Sequence, residues 1–146
     1  MKQASRAIII EEDKLLVMRR NKQAGEYFTL VGGQLQNGET PEQALIREVR
    51  EETGLQVTRM QLVFTESHPE PYSQQFIFLC EVAPHGDIAL QEYSEEAMLN
   101  KLSINMHTPF WVTLKSFNNI PFRTPQLQAA IIKGINTGFK DTATEL

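Results

Sequence analysis

The chain has 146 residues, 41% of them hydrophobic and 22% charged, with a formal net charge of −4. That is one domain's worth of a soluble globular protein with apolar content for a sizeable core. The acidic balance leaves no basic footprint for duplex nucleic acid. Cys80 is the only cysteine, so an intramolecular disulfide and a cysteine-rich metal site are excluded. Its apolar run, FIFLC, reads as core. Ala7 to Ile10 is too short for a signal-peptide h-region, and no run approaches membrane-spanning length. A cytoplasmic chain with no membrane partner is the expectation, without internal repeats or linkers.

Arg6 to Ile10 reads as a buried strand, Glu11 to Asp13 as a polar turn, and Lys14 to Arg20 as the returning strand of a hairpin. Arg19 and Arg20 close that strand before the polar loop NKQAGE, a common place for solvated charges. Tyr27 to Val31 reads as a short strand feeding Gly32-Gly33. Two glycines there let the backbone turn a carbonyl toward a ligand. Thr40-Pro41-Glu42-Gln43 is a helix start. Thr40 caps, Pro41 suits the first helical position, and Gln43 reaches back as in a capping box. Gly54 stops the helix, because glycine enters the left-handed region without steric penalty. The predicted helix is Pro41 to Thr53.

At about 100° per residue, Leu45, Ile46 and Val49 share one arc, which is predicted to face the core. Ala44, Glu48, Glu51 and Glu52 share the neighbouring arc, with Arg47 at its flank. Like charges at these spacings cost about a few tenths of a kcal/mol per pair. Folding alone gives no reason to gather three carboxylates there. A hard divalent cation such as Mg²⁺, which takes oxygen ligands, gives one. Glutamate-rich helices are also common as solvated faces, and the helix by itself does not separate the two. Gly33 to Thr40 has the glycine spacing of a phosphate-binding P-loop. Glu39 stands where that loop needs its lysine, which excludes it.

The spacing as a whole separates them. Gly33, five residues, Glu39, seven residues, Arg47-Glu48, aliphatic Val49, one residue, Glu51-Glu52, one residue, Gly54 and aliphatic Leu55 make nine restricted positions over 23 residues. This pattern resembles the Nudix box at every defining position, and the chain is similar to Nudix hydrolases. The resemblance implies a Nudix α/β/α sandwich, a mixed β-sheet between helices with a loop–helix–loop catalytic motif on its rim. It implies a single domain over 1–146 with an ordered core of about 4–136. It implies that Glu48, Glu51, Glu52 and the Gly32 carbonyl hold Mg²⁺, with Mn²⁺ as a substitute. The general base is then Glu48 or a carboxylate further along. Arg47 orients Glu51, and Glu39 pins the loop to the helix. Arg20 is the arginine implied to meet substrate. Val31 stands where the family usually has proline, which implies a softer loop.

After the helix, Gln56 to Glu66 and Gln75 to Val82 read as strands. The linker between them, SHPEPYSQ, carries Pro69, Pro71 and Tyr72. By the same resemblance Pro71 points to ADP-ribose and Tyr72 to dinucleoside polyphosphates, and a proline-stiffened loop explains them equally well. Tyr72 is kept as a substrate-binding candidate. In the acidic segment LQEYSEEAMLNKL, Glu92 is the candidate further ligand or base, ahead of Glu95 and Glu96. Thr108 to Leu114 reads as a strand with Trp111 in the core. Phe117 to Thr124 is a loop. Pro125 to Asn136 reads as a helix packing through Leu127, Ala130, Ile131 and Ile135. The resemblance implies that a member acting on oxidised guanine nucleotides can use an asparagine near this helix start. Thr124 stands there, with Asn118 and Asn119 a few residues earlier, which argues against that substrate. Gly138 onward is expected to fray. His68, His85 and His107 lack metal-ligand spacing and read as loop or surface residues.

The implied activity is Mg²⁺-dependent hydrolysis of the phosphoanhydride in a nucleoside diphosphate linked to another moiety, such as a nucleotide sugar, ADP-ribose or a dinucleoside polyphosphate. The alternatives are a (d)NTP pyrophosphohydrolase releasing pyrophosphate and a non-catalytic nucleotide-sensing module. The partner is a nucleotide pyrophosphate. Many relatives are homodimers, though no interface signature is visible in this chain.

Overall fold

A computed structural model describes residues 2–22, 25–68, 72–89 and 106–146. The strands are β1 (Lys2–Glu11), β2 (Lys14–Lys22), β3 (Gly25–Thr29), β4 (Val31–Gln34), β5 (Val57–Ser67), β6 (Tyr72–Val82), β7 (Met106–Thr113) and β8 (Thr144–Glu145). The helices are α1 (Pro41–Thr53), the single turn α2 (Leu114–Phe117) and α3 (Pro125–Thr137). The sheet runs β3-β2-β1-β6-β5-β8, with β4 also on β1 and β7 also on β2. The β1–β6 and β5–β8 pairs are parallel and the others antiparallel, so the sheet is mixed.

Side chains alternate across the strands, as a two-sided sheet requires. Ala7, Ile9, Leu16, Met18, Val31, Phe78 and Cys80 pack with Leu45 and Val49 of α1. Ile8, Leu15, Val17, Leu30, Val63 and Ile77 pack on the other side with Leu127 and Ile131 of α3. The sheet therefore lies between α1 and α3, the sandwich expected. Cys80 is buried, and burial pushes its thiol up to about 12. Among the described residues no helix is long and apolar enough to cross a membrane.

The hairpin forms, but β1 and β2 pair only at its tip, Ile10 with Leu15 and Glu11 with Lys14. Beyond the tip the strands part. β1 runs between β4 and β6, and β2 between β3 and β7. The strand expected over Tyr27 to Val31 is consequently two strands. At Leu30 the chain leaves β2 and joins β1.

Four further expectations are corrected. Ile46 is 43% exposed, and the packed face of α1 is Ala44, Leu45, Glu48, Val49, Glu52 and Thr53. The helix is rotated so that two carboxylates go inward in its place. The strand predicted to reach Leu114 ends at Thr113, whose side chain caps α2, and α2 buries Phe117 completely. His107 is 4% exposed within β7, not on the surface. The segment after Gly138 does not fray. Phe139 meets Phe64 edge-on at 6.1 Å, Thr144 and Glu145 pair with Phe64 and Thr65, and the Leu146 N–H donates to the Thr65 carbonyl. Phe139→Ala is expected to lower the unfolding free energy by about 1–3 kcal/mol in urea denaturation. An unchanged midpoint would mean that the C-terminal segment is not part of the folded core.

Candidate active site

The site begins where β4 runs beside β1. Gly32 stands opposite Arg6 and Gly33 opposite Ser5. The Ser5 hydroxyl donates to the Pro41 carbonyl at 2.7 Å, tying the start of α1 to the same strand. That start is the capping box read from the sequence. The Gln43 N–H donates to the Thr40 hydroxyl, and the Thr40 N–H to the Gln43 side chain. Gly54 closes the helix at φ 78°.

The two glycines do different work. Gly32 sits at φ +143°, where a Cβ would lie 2.0 Å from the Ser5 carbonyl oxygen. Its N–H donates to Glu52 Oε1 at 2.6 Å, and Glu52 is fully buried. Gly33 leaves room for Glu48, since a Cβ there would lie 2.6 Å from the Glu48 carboxyl carbon. Glu48 is 7% exposed. Both carboxylates are thus held under β4, one by a hydrogen bond and one by the absence of a methyl group.

Arg47 links the loop to the helix. Its Nε and Nη2 make a bidentate pair with Glu39 at 2.6 and 2.9 Å. Nη1 donates to Glu48 Oε1 at 2.9 Å and to Glu51 Oε2 at 3.3 Å. Nη2 also reaches the Gln34 carbonyl at 3.1 Å. The Gln36 N–H donates to Glu39. Glu39 therefore pins the loop through Arg47. Arg47 thus touches Glu51, the carboxylate it is expected to orient, and Glu48 as well. The Arg47 guanidinium holds the Glu39 carboxyl below its ordinary range, and Glu39 in turn raises Arg47.

Arg20 is set by two contacts. Its Nε donates to the Thr29 hydroxyl and its Nη1 to His107 Nε2, each at 3.0 Å. A guanidinium only donates, so this His107 nitrogen accepts and the ring proton belongs on Nδ1. Arg19 pairs instead with Glu26 at the exposed face. Trp111 is half-buried against the α1-side cluster, stacked on His85. The Gly86 carbonyl and the Glu11 carboxylate raise the His85 pKa. Glu92, Glu95, Glu96, Pro69 and Pro71 lie outside the described residues. Tyr72 opens β6, but its side chain lies outside them too.

Sequence reasoning missed three polar residues. Arg6 is 8% exposed, and its Nη1 donates to the Gly32 carbonyl at 3.0 Å, the carbonyl assigned to metal. A lone arginine opening an apolar strand was the available signal. Glu66 is 5% exposed, accepts from the Thr124 hydroxyl at 2.5 Å and contacts His68 at 2.9 Å. Thr124 also caps α3. His107 is the third, and nothing in its neighbours' sequence marked it.

Among the described residues no three histidine, cysteine, aspartate or glutamate side chains converge as a metal-holding group. Arg47 lies between Glu48 and Glu51, and Glu52 turns to Gly32. The donor set still fits a hard cation in kind. It offers carboxylate oxygens at helix positions i, i+3 and i+4, two of them buried, beside a backbone carbonyl. The cation would take over contacts that Arg47 and Arg6 now make.

A family model for the NUDIX domain matches residues 1–130. The chain belongs to this family. Nudix hydrolases generally use divalent metal ions. This Nudix domain is 36% identical over 80 residues to the NAD-capped RNA hydrolase NudC of Edwardsiella ictaluri (strain 93-146), covering 55% of this chain and 31% of that protein. It is 47% identical over 47 residues to the 8-oxo-dGTP diphosphatase of Proteus vulgaris, covering 32% of this chain and 42% of that protein. The chain thus spans about a third of the length of NudC relatives it matches. In fold it is similar to a NUDIX hydrolase from Nitrosomonas europaea, with a TM-score of 0.69 at 19% identity over 96% of this chain and 92% of that one.

Two outcomes follow from the geometry. Glu39 has a depressed pKa in the fold, so its contribution to stability is present above its ordinary value of 4.5 and is lost as pH falls through the folded value. The melting temperature of the wild type is expected to exceed that of Glu39→Gln near neutral pH, with the difference shrinking below pH 4.5. A difference independent of pH would contradict the Glu39–Arg47 clamp. Gly33→Ala is expected to displace the Glu48 carboxylate and lower kcat by about tenfold or more while the fold is kept, read by turnover beside circular dichroism. Unchanged turnover would show that Glu48 does not depend on this approach.

Proposed function

We propose that this Nudix domain hydrolyses the phosphoric anhydride of a nucleoside diphosphate linked to a second moiety, with Mg²⁺ as the working cation and Mn²⁺ as a substitute. The observation that carries the reading is the burial of Glu48 and Glu52 under Gly32-Gly33, beside Glu51 and Arg47, within the matched domain. Buried carboxylates are costly to keep, and a sensing module would not need three on one helix arc. The NudC relatives, named for hydrolysis of NAD-capped RNA, support the linked-diphosphate class.

Glu48, Glu51, Glu52 and the Gly32 carbonyl would hold the cation. When bound, it supplies positive charge to the phosphates and makes nearby water more acidic. Glu48, or a carboxylate further along such as Glu92, takes the proton of the attacking water. The water oxygen bonds to phosphorus, the anhydride P–O bond breaks, and two phosphate-bearing products leave. Arg47 keeps Glu51 and Glu39 in register through charge-assisted hydrogen bonds. Arg20, fixed by Thr29 and His107, offers its remaining donors to a substrate phosphate, and Tyr72 is the second substrate contact.

The stretch that is 47% identical to an 8-oxo-dGTP diphosphatase favours a second reading, (d)NTP cleavage releasing pyrophosphate. Product analysis separates the two, because the first leaves a phosphate on each organic moiety and the second releases free pyrophosphate. Glu52→Gln is expected to lower kcat/KM by about 100-fold or more on whichever nucleotide pyrophosphate is turned over, and EDTA to abolish turnover until Mg²⁺ is restored. Turnover that persists through both treatments would overturn the assignment.

A further inference from the structure

A row of side chains crosses the sheet on the face that carries α1. Leu16 and Met18 of β2 point to the α1 side, so Arg20, at the same parity, does too. Arg20 stands opposite His107 on β7 and opposite Tyr27 on β3. Thr29, two residues beyond Tyr27, takes the Arg20 hydrogen bond and so shares this face. The outer edge of β3 is then extended by the 121–123 segment. The Phe28 N–H donates to the Pro121 carbonyl, the Arg123 N–H donates to the Phe28 carbonyl, and Phe122 bridges Phe28. Phe28 and Phe122 are buried together on the α3 side, and their parallel bridge sets Arg123, one residue on, level with Thr29 on the α1 side. There its guanidinium lies over the Tyr27 ring, 3.7 Å from the centroid.

Arg123 is exposed, and among the described residues no carboxylate pairs with it. In a domain of net charge −4 that is a notable place for a cation. A guanidinium centred over one face of an aromatic ring leaves its own other face free to meet a second ring. That face is planar and weakly hydrated, and stacks on flat rings. Its fork of donors, the part that clasps phosphate, lies at the rim of the stack. The neighbouring guanidinium in the row, Arg20, is fixed edge-on by Thr29 and His107 and suits a phosphate. β3 leads through Leu30 into β4, which carries Gly32-Gly33, so the strand that bears Tyr27 feeds the carboxylate site.

We propose that Arg123, seated on Tyr27, is the stacking platform for the nucleobase of the substrate, and that Arg20 beside it takes a phosphate. The proposal rests on the nucleotide pyrophosphatase reading and adds the residue that recognises the flat ring. The order is tyrosine ring, guanidinium plane, base. Base–platform stacking tolerates different bases and is stronger for purines, which offer more area.

The test compares AMP, GMP, CMP and UMP with ribose 5-phosphate, which lacks only the base, by NMR titration of the full chain. Wild type is expected to bind a purine monophosphate about tenfold or more tighter than ribose 5-phosphate. In Arg123→Ala and in Arg123→Lys that ratio is expected to fall to about one, with ribose 5-phosphate binding unchanged. Tyr27→Leu is expected to lower the ratio in the same direction. A ratio that survives Arg123→Ala, or that Arg123→Lys preserves, overturns the platform, because charge or another residue then does the work. A wild-type ratio of one in a chain that turns over nucleotide pyrophosphates overturns the platform alone. No binding of any of these probes, together with no turnover, overturns the hydrolase reading and the platform with it.

Discussion

The hydrogen bond from the Gly32 N–H to the buried Glu52 carboxylate constrains everything around it. An ionised carboxylate inside a protein is costly unless hydrogen bonds or opposite charge compensate. To make this contact β4 must run within reach of the last turn of α1, at a backbone dihedral only glycine adopts easily. The same approach brings Glu48 against Gly33, where any side chain would collide. With those two carboxylates turned inward, the helix cannot also bury Ile46, and the apolar face narrows to Ala44, Leu45 and Val49. Core packing is given up in order to place charge.

Arg47 is the counterpart. One guanidinium serves Glu39, Glu48, Glu51 and the Gln34 carbonyl. Three carboxylates at 15%, 9% and 21% side-chain exposure share that one cation, so removing it would leave mutually repelling charges close to the loop. A network of this kind holds the loop and helix as one unit. On the proposed reading a divalent cation would compete with Arg47 for the same oxygens. Arg6 plays the equivalent part on the Gly32 carbonyl.

Much of this was legible in the residues. The capping box and Gly54 gave the bounds of α1, because both signals act through local hydrogen bonds and dihedrals. The two-sided sandwich was legible only through the resemblance carried by the box. The continuous apolar runs of β1 and β2 mark buried strands without saying what covers each face. The box spacing named the residues around Gly32 because its chemistry is tied to helix periodicity. What stayed hidden depends on contacts distant in sequence. Whether Tyr27 to Val31 makes one strand or two is decided by the parting of β1 and β2. His107 is buried because Arg20 stands opposite it, 87 residues away in the chain. Glu66 is stabilised by Thr124 at the cap of α3, and the C-terminal segment is held by a strand pairing with β5. Helical periodicity placed Ile46 inside because it weighs apolar residues and gives no weight to carboxylates drawn inward.

The central claim is that Glu48, Glu51, Glu52 and the Gly32 carbonyl form a divalent-cation site once Arg47 and Arg6 yield their contacts. Crystals of the chain soaked in Mn²⁺ and measured at the manganese edge test it most directly. The account predicts an anomalous peak in direct coordination with Glu52 and at least one of Glu48 and Glu51, with the Arg47 guanidinium displaced from the latter. A peak elsewhere on the surface, or Arg47 still bridging Glu48 and Glu51 at saturating Mn²⁺, would contradict it.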